Sequence, residues 1–164
     1  MQEKEDKVYY FFTDGATSRN GANDADGGWA WINVRYEDEE VFIDHSRADY
    51  VFEATNNRCE LMAVIDACKF AKTHNMEPAT IYSDSAYVIN CYKQKWYENW
   101  IYNGWVNYRR EPVANKDLWK ELIPFFRNKN YKFEKVKGHA GMIENETVDK
   151  MAKEAAMSGD IWNA

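Results

Sequence analysis

The sequence predicts an α/β fold built on a five-stranded mixed sheet. Two observations carry that expectation. The periodic segments run strand, strand, strand, helix, strand, helices, strand, helix, and the hydrophobic period changes from two residues to three or four after Asn57. Strands that follow one another directly pair antiparallel, whereas strands joined by a helical crossover lie parallel. The first three strands are therefore expected antiparallel and the later ones parallel.

Each element has its own signal. Val8 to Thr13 is an apolar, aromatic-rich run that stops at the turn pair Asp14-Gly15, and Ala16 to Gly28, rich in Asn, Asp, Gly and Ala, reads as a loop. Trp29 to Tyr36 and Val41 to Ser46 flank the acidic run Glu37 to Glu40 and form a hairpin with a charged turn. Leu61, Ile65 and Cys68 recur at helical spacing, with Asn56 or Asn57 as cap and an end near His74-Asn75 before Pro78. Ala79 to Ser83 is a short strand, and Asp84-Ser85 caps a helix from Ala86. There Val88, Tyr92, Trp96 and Trp100 share one face, with a break allowed near Lys93 to Lys95 and closure at Gly104. Asn115 caps a helix from Lys116 to about Phe126, Tyr131 to Val136 is the last strand, and a glycine-containing loop, Lys137 to Ile143, leads into a final helix ending near Gly159.

Composition narrows the class. The 164 residues, 45% hydrophobic and 29% charged, suit one domain. The whole of 1–164 is expected to be that domain, with 1–7 a short polar segment and 158–164 a tail. The longest apolar runs, Val8 to Phe12 and Leu61 to Ile65, are far too short to cross a bilayer. Met1 to Lys7 lacks the apolar core of a secretory signal, and Cys59, Cys68 and Cys91 have neither disulfide-framework nor zinc-site spacing. A cytoplasmic protein is expected.

The net charge of −6 argues at first against a nucleic-acid partner, but its distribution reverses that inference. Residues 1–66 hold 15 acids and 6 bases, whereas residues 93–137 hold 11 bases and 5 acids. The second stretch is a candidate basic surface.

Four carboxylates fall where elements begin or end: Asp14 after the first strand, Glu60 in the first turn of the first helix, Asp84 after the fourth strand, and Asp149 early in the last helix. A parallel pairing of strands one and four would bring Asp14 and Asp84 together at the sheet edge where α/β sites form. Clustered carboxylates oppose one another's ionisation, and a divalent cation removes that cost. Hard oxygen ligands without Cys or clustered His select Mg2+ or Mn2+, and two such ions serve phosphodiester hydrolysis. The same residues also suit structural roles, since Asp-Gly is a turn pair, Asp84-Ser85 a helix cap, and acids near a helix start favour its dipole.

Six ordered motifs add a resemblance. They are Phe12-Thr13-Asp14-Gly15-Ala16; Thr55-Asn56-Asn57-Arg58-Cys59-Glu60-Leu61 followed by Ala63; Ser83-Asp84-Ser85-Ala86-Tyr87-Val88; Val113-Ala114-Asn115-Lys116-Asp117-Leu118-Trp119; Val136-Lys137-Gly138-His139-Ala140-Gly141; and Asn145-Glu146-Thr147-Val148-Asp149. Together, from about Tyr9 to Met157, the chain resembles ribonuclease H of the bacterial type 1 family. The resemblance implies that family's fold, with helices on both faces of the sheet. It implies Asp14, Glu60, Asp84 and Asp149 as catalytic metal ligands for two Mg2+ ions, with Mn2+ a possible substitute, and His139 as a mobile-loop residue assisting proton transfer or product release. The implied reaction is hydrolysis of the RNA strand of an RNA/DNA hybrid to 5′-phosphate and 3′-hydroxyl ends, by a monomer without a membrane partner.

Substrate contacts follow from the same resemblance. It implies Gly15, Asn20, Asn56 and Asn57 near sugars and base edges of the minor groove, where the RNA 2′-hydroxyl is exposed, and Thr55 in a pocket for a DNA phosphate. Asn56 and Asn57 equally suit helix capping. The stretch Tyr92 to Tyr108 with Arg109 and Arg110 resembles the family's basic protrusion, or handle, which grips the DNA strand. Asn103, Gly104, Trp105, Arg109 and Arg110 are expected to touch it, and Trp96 and Trp119 to pack. Three departures bear on grip: an acidic first loop with Asp24 and Asp26, Ala86 after Asp84-Ser85, and Met142-Ile143 after the histidine loop. The handle also has more aromatics and fewer lysines than many relatives. Two other readings are a ribonuclease H domain of a reverse transcriptase or mobile element, and a hybrid-binding module without catalysis.

Overall fold

A computed structural model describes residues 7–18, 25–136 and 142–162, the last three through their backbone. Its strands are β1 (Tyr9–Thr17), β2 (Gly27–Glu37), β3 (Glu40–Val51), β4 (Ala79–Ser83) and β5 (Tyr131–Lys135). Its helices are α1 (Asn56–Thr73), α2 (Ala86–Gln94), α3 (Trp96–Asn103), α4 (Lys116–Phe126) and α5 (Ile143–Trp162). The strands form one sheet in the order β3-β2-β1-β4-β5. The pairings β1/β2 and β2/β3 are antiparallel, and β1/β4 and β4/β5 are parallel. The mixed sheet therefore has the directions that the element order predicts.

The two-residue alternation of the central strands separates two cores. Phe11 and Trp31 pack with Leu61, Val64 and Cys68 of α1 and with Trp119 and Leu122 of α4. Phe12, Ile32 and Val34 pack on the opposite face with Val148 and Ala152 of α5. Helices thus cover both faces, and β1 is buried between them. No helix among the described residues is long and apolar enough to cross a membrane.

Four local expectations are corrected. β1 does not stop at Asp14-Gly15 but continues to Thr17, because Asp14 and Gly15 pair with Ala30 and Trp29 of β2. The cap of α1 is Thr55 rather than Asn56 or Asn57: its backbone is extended and its hydroxyl accepts from the Arg58 N–H at 3.2 Å. Asn115 stands at the start of α4 in a left-handed conformation without a capping bond from its side chain. α5 runs past Gly159 to Trp162.

The helical region after β4 is broken at Lys95, which adopts φ 55° and donates its N–H to the Cys91 carbonyl, so α2 and α3 are separate helices. The break changes which ring is buried. Tyr97, not Trp96, packs against Phe126 as the buried residue of α3. Ser85 caps α2 by accepting from the Val88 N–H, which leaves the neighbouring Asp84 side chain outside the cap.

Candidate metal centre and nucleic-acid interface

Register brings the first two carboxylates together. Thr13 and Ser83 form the last paired rung between the parallel strands β1 and β4, so Asp14 and Asp84 are the next residue on adjacent chains at the C-terminal edge. Parallel strands lie roughly 4.8 Å apart, within reach of a shared cation. Glu60 arrives from α1, one turn beyond the first, because the helix starts at Asn56 and has no acid in its first turn. Its approach requires Gly15: a Cβ there would lie 2.4 Å from the Glu60 backbone nitrogen and 2.6 Å from the Cys59 carbonyl carbon. One carboxylate oxygen from each of Asp14, Glu60 and Asp84 lies within 4.8 Å of the others.

The electrostatics are those of an acid cluster short of positive charge. Asp14 is 3% exposed and Glu60 4%, and the Glu60 Oε2 has no hydrogen-bond partner among the described residues. Burial, with Asp84 beside it, pushes the Asp14 carboxyl up to about 7, despite the Gly15 N–H donated to its Oδ1 at 2.9 Å. Burial and the neighbouring Asp14 and Asp84 hold Glu60 well above the usual carboxylate range. Asp84 is also raised, by its partial burial and then by Asp149, while Lys135 at the end of β5 acts in the opposite direction. Buried like charges with an orphaned oxygen are costly unless a cation joins them. The donors are all carboxylate oxygens, so the chemistry fits a hard divalent ion.

Asp149 comes from α5, which is seated on the sheet through Gly28. A Cβ at Gly28 would meet the Ala156 nitrogen at 2.3 Å and the Ala152 oxygen at 2.5 Å. Asp149 raises both Asp14 and Asp84, but its carboxylate is not among the three whose oxygens lie within 4.8 Å of one another. Its own carboxylate is paired with Lys153 at 3.0 Å, one helical turn on. Lys153 escaped the sequence reading although its i+4 spacing from Asp149 was a usable signal. Asn145 is not distinguished as a separate site residue by sequence either: its Oδ1 is buried at the start of α5 without a partner among the described residues.

The expected substrate residues fall into three groups. Asn56 and Asn57 are exposed at the start of α1, and no hydrogen bond engages their side chains within the described residues, so their amides face solvent. Thr55 is exposed, with its hydroxyl engaged in the cap. Gly15 is buried beneath Glu60, where its observed contribution is spacing. In the handle, Asn103 and Gly104 end α3, and Gly104 takes φ 82°. Trp105 is half-buried, with the Lys116 and Lys120 ammonium groups 5.7 and 5.6 Å from its ring centroid. Arg109 and Arg110 are exposed on the following loop. Trp119 is buried, and Trp96 is partly buried with its indole N–H donated to Gln94. Asn20 and His139 lie outside the described residues.

A five-stranded mixed sheet with acids gathered at the ends of its two central parallel strands defines an α/β protein with an acid-centred divalent-cation site. The RNase H family profile matches residues 6–157. The chain is 45% identical over 152 residues to the Ribonuclease H of Syntrophomonas wolfei subsp. wolfei, covering 93% of this chain and 98% of that one. It is 40% identical over 151 residues to the Ribonuclease H of Clostridium botulinum, covering 91% and 95%. In structure it is similar to LC9-RNase H1, a type 1 RNase H with the type 2 active-site motif, at TM-score 0.76, 22% identity and 96% and 75% coverage. It is also similar to the PFV RNase H domain, at TM-score 0.74, 23% identity and 92% and 94% coverage. The chain belongs to the RNase H family.

Proposed function

We propose that this protein is an endoribonuclease that cleaves the RNA strand of RNA/DNA hybrids, leaving 5′-phosphate and 3′-hydroxyl ends. The observation that carries the reading is the group formed by Asp14, Glu60 and Asp84, two of them buried and one with an unpartnered oxygen. These three and Asp149 would hold two Mg2+ ions, with Mn2+ as a substitute. When bound, divalent cations activate a water and stabilise the leaving oxygen of the phosphodiester.

The protein's own residues do the rest. Asp14 and Glu60, poorly disposed to ionise alone, become anionic ligands once positive charge is present. Lys153 holds Asp149 in its position on α5. Asn56 and Asn57 reach the minor groove, where an amide both donates to and accepts from a 2′-hydroxyl, and Thr55 meets a DNA phosphate. Asn20 and Gly15 belong to the same set of substrate contacts. His139 carries a proton at the site or aids product departure. Trp105 packs against deoxyribose, while Asn103, Gly104, Arg109 and Arg110 follow the DNA backbone, where cations neutralise phosphates. The protein acts as a cytoplasmic monomer.

A hybrid-binding module without catalysis would need a missing carboxylate, and all four are present. The test is a strand-labelled hybrid incubated with Mg2+. The wild-type protein is expected to cut the RNA strand, and Asp84→Asn to lose at least about a hundredfold of that rate, as loss of a charged site group does. Undiminished cleavage by Asp84→Asn would remove Asp84 from the site.

A further inference from the structure

The handle contains a feature that phosphate contact does not use. A cavity of about 760 Å³ opens between α3 and the loop that follows it. Trp96, Trp100 and Val113 line its interior, and Tyr102 and Tyr108 stand at its edge, 89% and 87% exposed. Rings this exposed lose the benefit of apolar burial.

Their backbone supports are fixed. Val106 pairs with Pro112, so the loop is a short hairpin. The Asn107 Oδ1 accepts from the N–H groups of Arg109 and Glu111, which shapes its tip. The Asn103 side chain donates to the Val106 carbonyl and accepts from the Val106 N–H, tying the hairpin to the end of α3. Tyr102 and Tyr108 are thus presented from a pinned frame, which lowers the entropy lost when a ligand stacks on them. The hairpin tip beside Tyr108 carries two exposed cations, Arg109 and Arg110, against Glu111. The Arg109 guanidinium already lies 5.4 Å from the Tyr108 ring centroid.

Exposed aromatic faces bordered by cations are the arrangement that binds single-stranded nucleic acid, since every base has a face to stack while phosphates need neutralising. We propose that this cavity receives unpaired bases of a DNA strand that continues beyond the hybrid, stacked on Tyr102 and Tyr108. This rests on the reading above, in which the handle lies along the DNA strand. It adds a substrate class: hybrids whose DNA strand ends in a single-stranded extension.

Binding is measured by fluorescence anisotropy with Asp84→Asn protein in Mg2+, so that the substrate stays intact. The ligands are a blunt hybrid, the same hybrid with an oligothymidine extension at either end of the DNA strand, and one with an abasic extension of equal length. The thymidine extension at one end is expected to tighten binding about tenfold, a modest share of what base stacking delivers. The abasic extension should bind as the blunt hybrid does. Adding Tyr102→Ala and Tyr108→Ala should abolish the gain, so that the extended hybrid binds no tighter than the blunt hybrid does to the same variant, and the Tyr→Phe pair should keep it. Equal binding of abasic and thymidine extensions, a gain that survives the Ala pair, or a gain only from an oligouridine extension of the RNA strand overturns the proposal. Failure to bind even the blunt hybrid counts against the hybrid reading itself. Free oligothymidine then tests the cavity alone through tryptophan fluorescence: quenching that the Ala pair abolishes supports it, and no quenching overturns it.

Discussion

Asp14 has the most constrained chemistry in the molecule. It sits in a central strand, 3% exposed, beside Glu60 and Asp84, and burial first, then the Asp84 charge, pushes its carboxyl up to about 7, while the hydrogen bond with Glu60 acts the other way. In the unfolded chain the same group titrates near 3.8. The folded state therefore binds the proton more tightly. Stability from this group is complete below about pH 4 and is lost as pH rises through about 7. The metal-free wild type should lose stability over that interval relative to Asp14→Asn, by on the order of 3 kcal/mol at the upper end. Thermal unfolding in EDTA from pH 4 to 8 measures it; a constant difference between the two proteins would show that Asp14 is not strained by its neighbours. The site acids are legible because each stands within an ordered motif, although Asp14, Glu60 and Asp149 lie inside their elements rather than at the edges. Asn145 is not, because an orphaned oxygen is a property of packing that no sequence spacing displays.

At the scale of elements, two glycines set the distances on which the site depends. Gly15 lets α1 bring Glu60 close to β1, and Gly28 lets α5, which carries Asp149, pack its Ala152–Ala156 backbone on β2. Gly28→Ala would place a methyl group against α5 backbone, which cannot move away as a side-chain tip can. It is expected to cost about 2 kcal/mol or more in urea unfolding and to lower kcat, and an unchanged midpoint would contradict the close packing. The handle is an element of a different kind, held by the turn at Lys95 and by the hairpin after α3. Replacing Arg109 and Arg110 together by Ala should raise KM for hybrid and reduce the slope of log affinity against log salt by about 2. An unchanged slope would remove both from the phosphate interface. The bounds of β4 and α4 were legible from periodicity and flanking residues. The break falls at Lys95, within the Lys93 to Lys95 stretch where the sequence allows one, although neither Gly nor Pro marks it and a lysine takes the left-handed conformation. Thr55 is a less favoured cap type than the two asparagines that follow it, and only the backbone geometry makes it the cap.

Across the whole molecule, charge is divided by function. The acidic excess of residues 1–66 includes Asp14 and Glu60, which bound cations would offset, and also a β3 edge where charges are partly paired, as in Arg35 with Asp44 and Arg47 with Asp66. Charged side chains on an edge strand discourage pairing with another sheet. The basic stretch from Lys93 onward forms the handle and the elements behind it, so a chain of net charge −6 still presents a cationic surface. Fold class was legible at this scale because strand order and crossovers admit few topologies. How far the handle stands open to solvent was not, since the exposure of Tyr102 and Tyr108 depends on where α3 and the hairpin diverge. The central claim is that clustered carboxylates make a cation-dependent, hybrid-specific nuclease. It is tested most directly by following cleavage of one RNA sequence paired with DNA, paired with RNA, and unpaired, across a Mg2+ titration and in EDTA. The expected result is cleavage of the RNA only in the hybrid, rising with Mg2+, absent in EDTA and yielding 5′-phosphate ends. Cleavage that persists in EDTA, or that treats the three substrates alike, would contradict it.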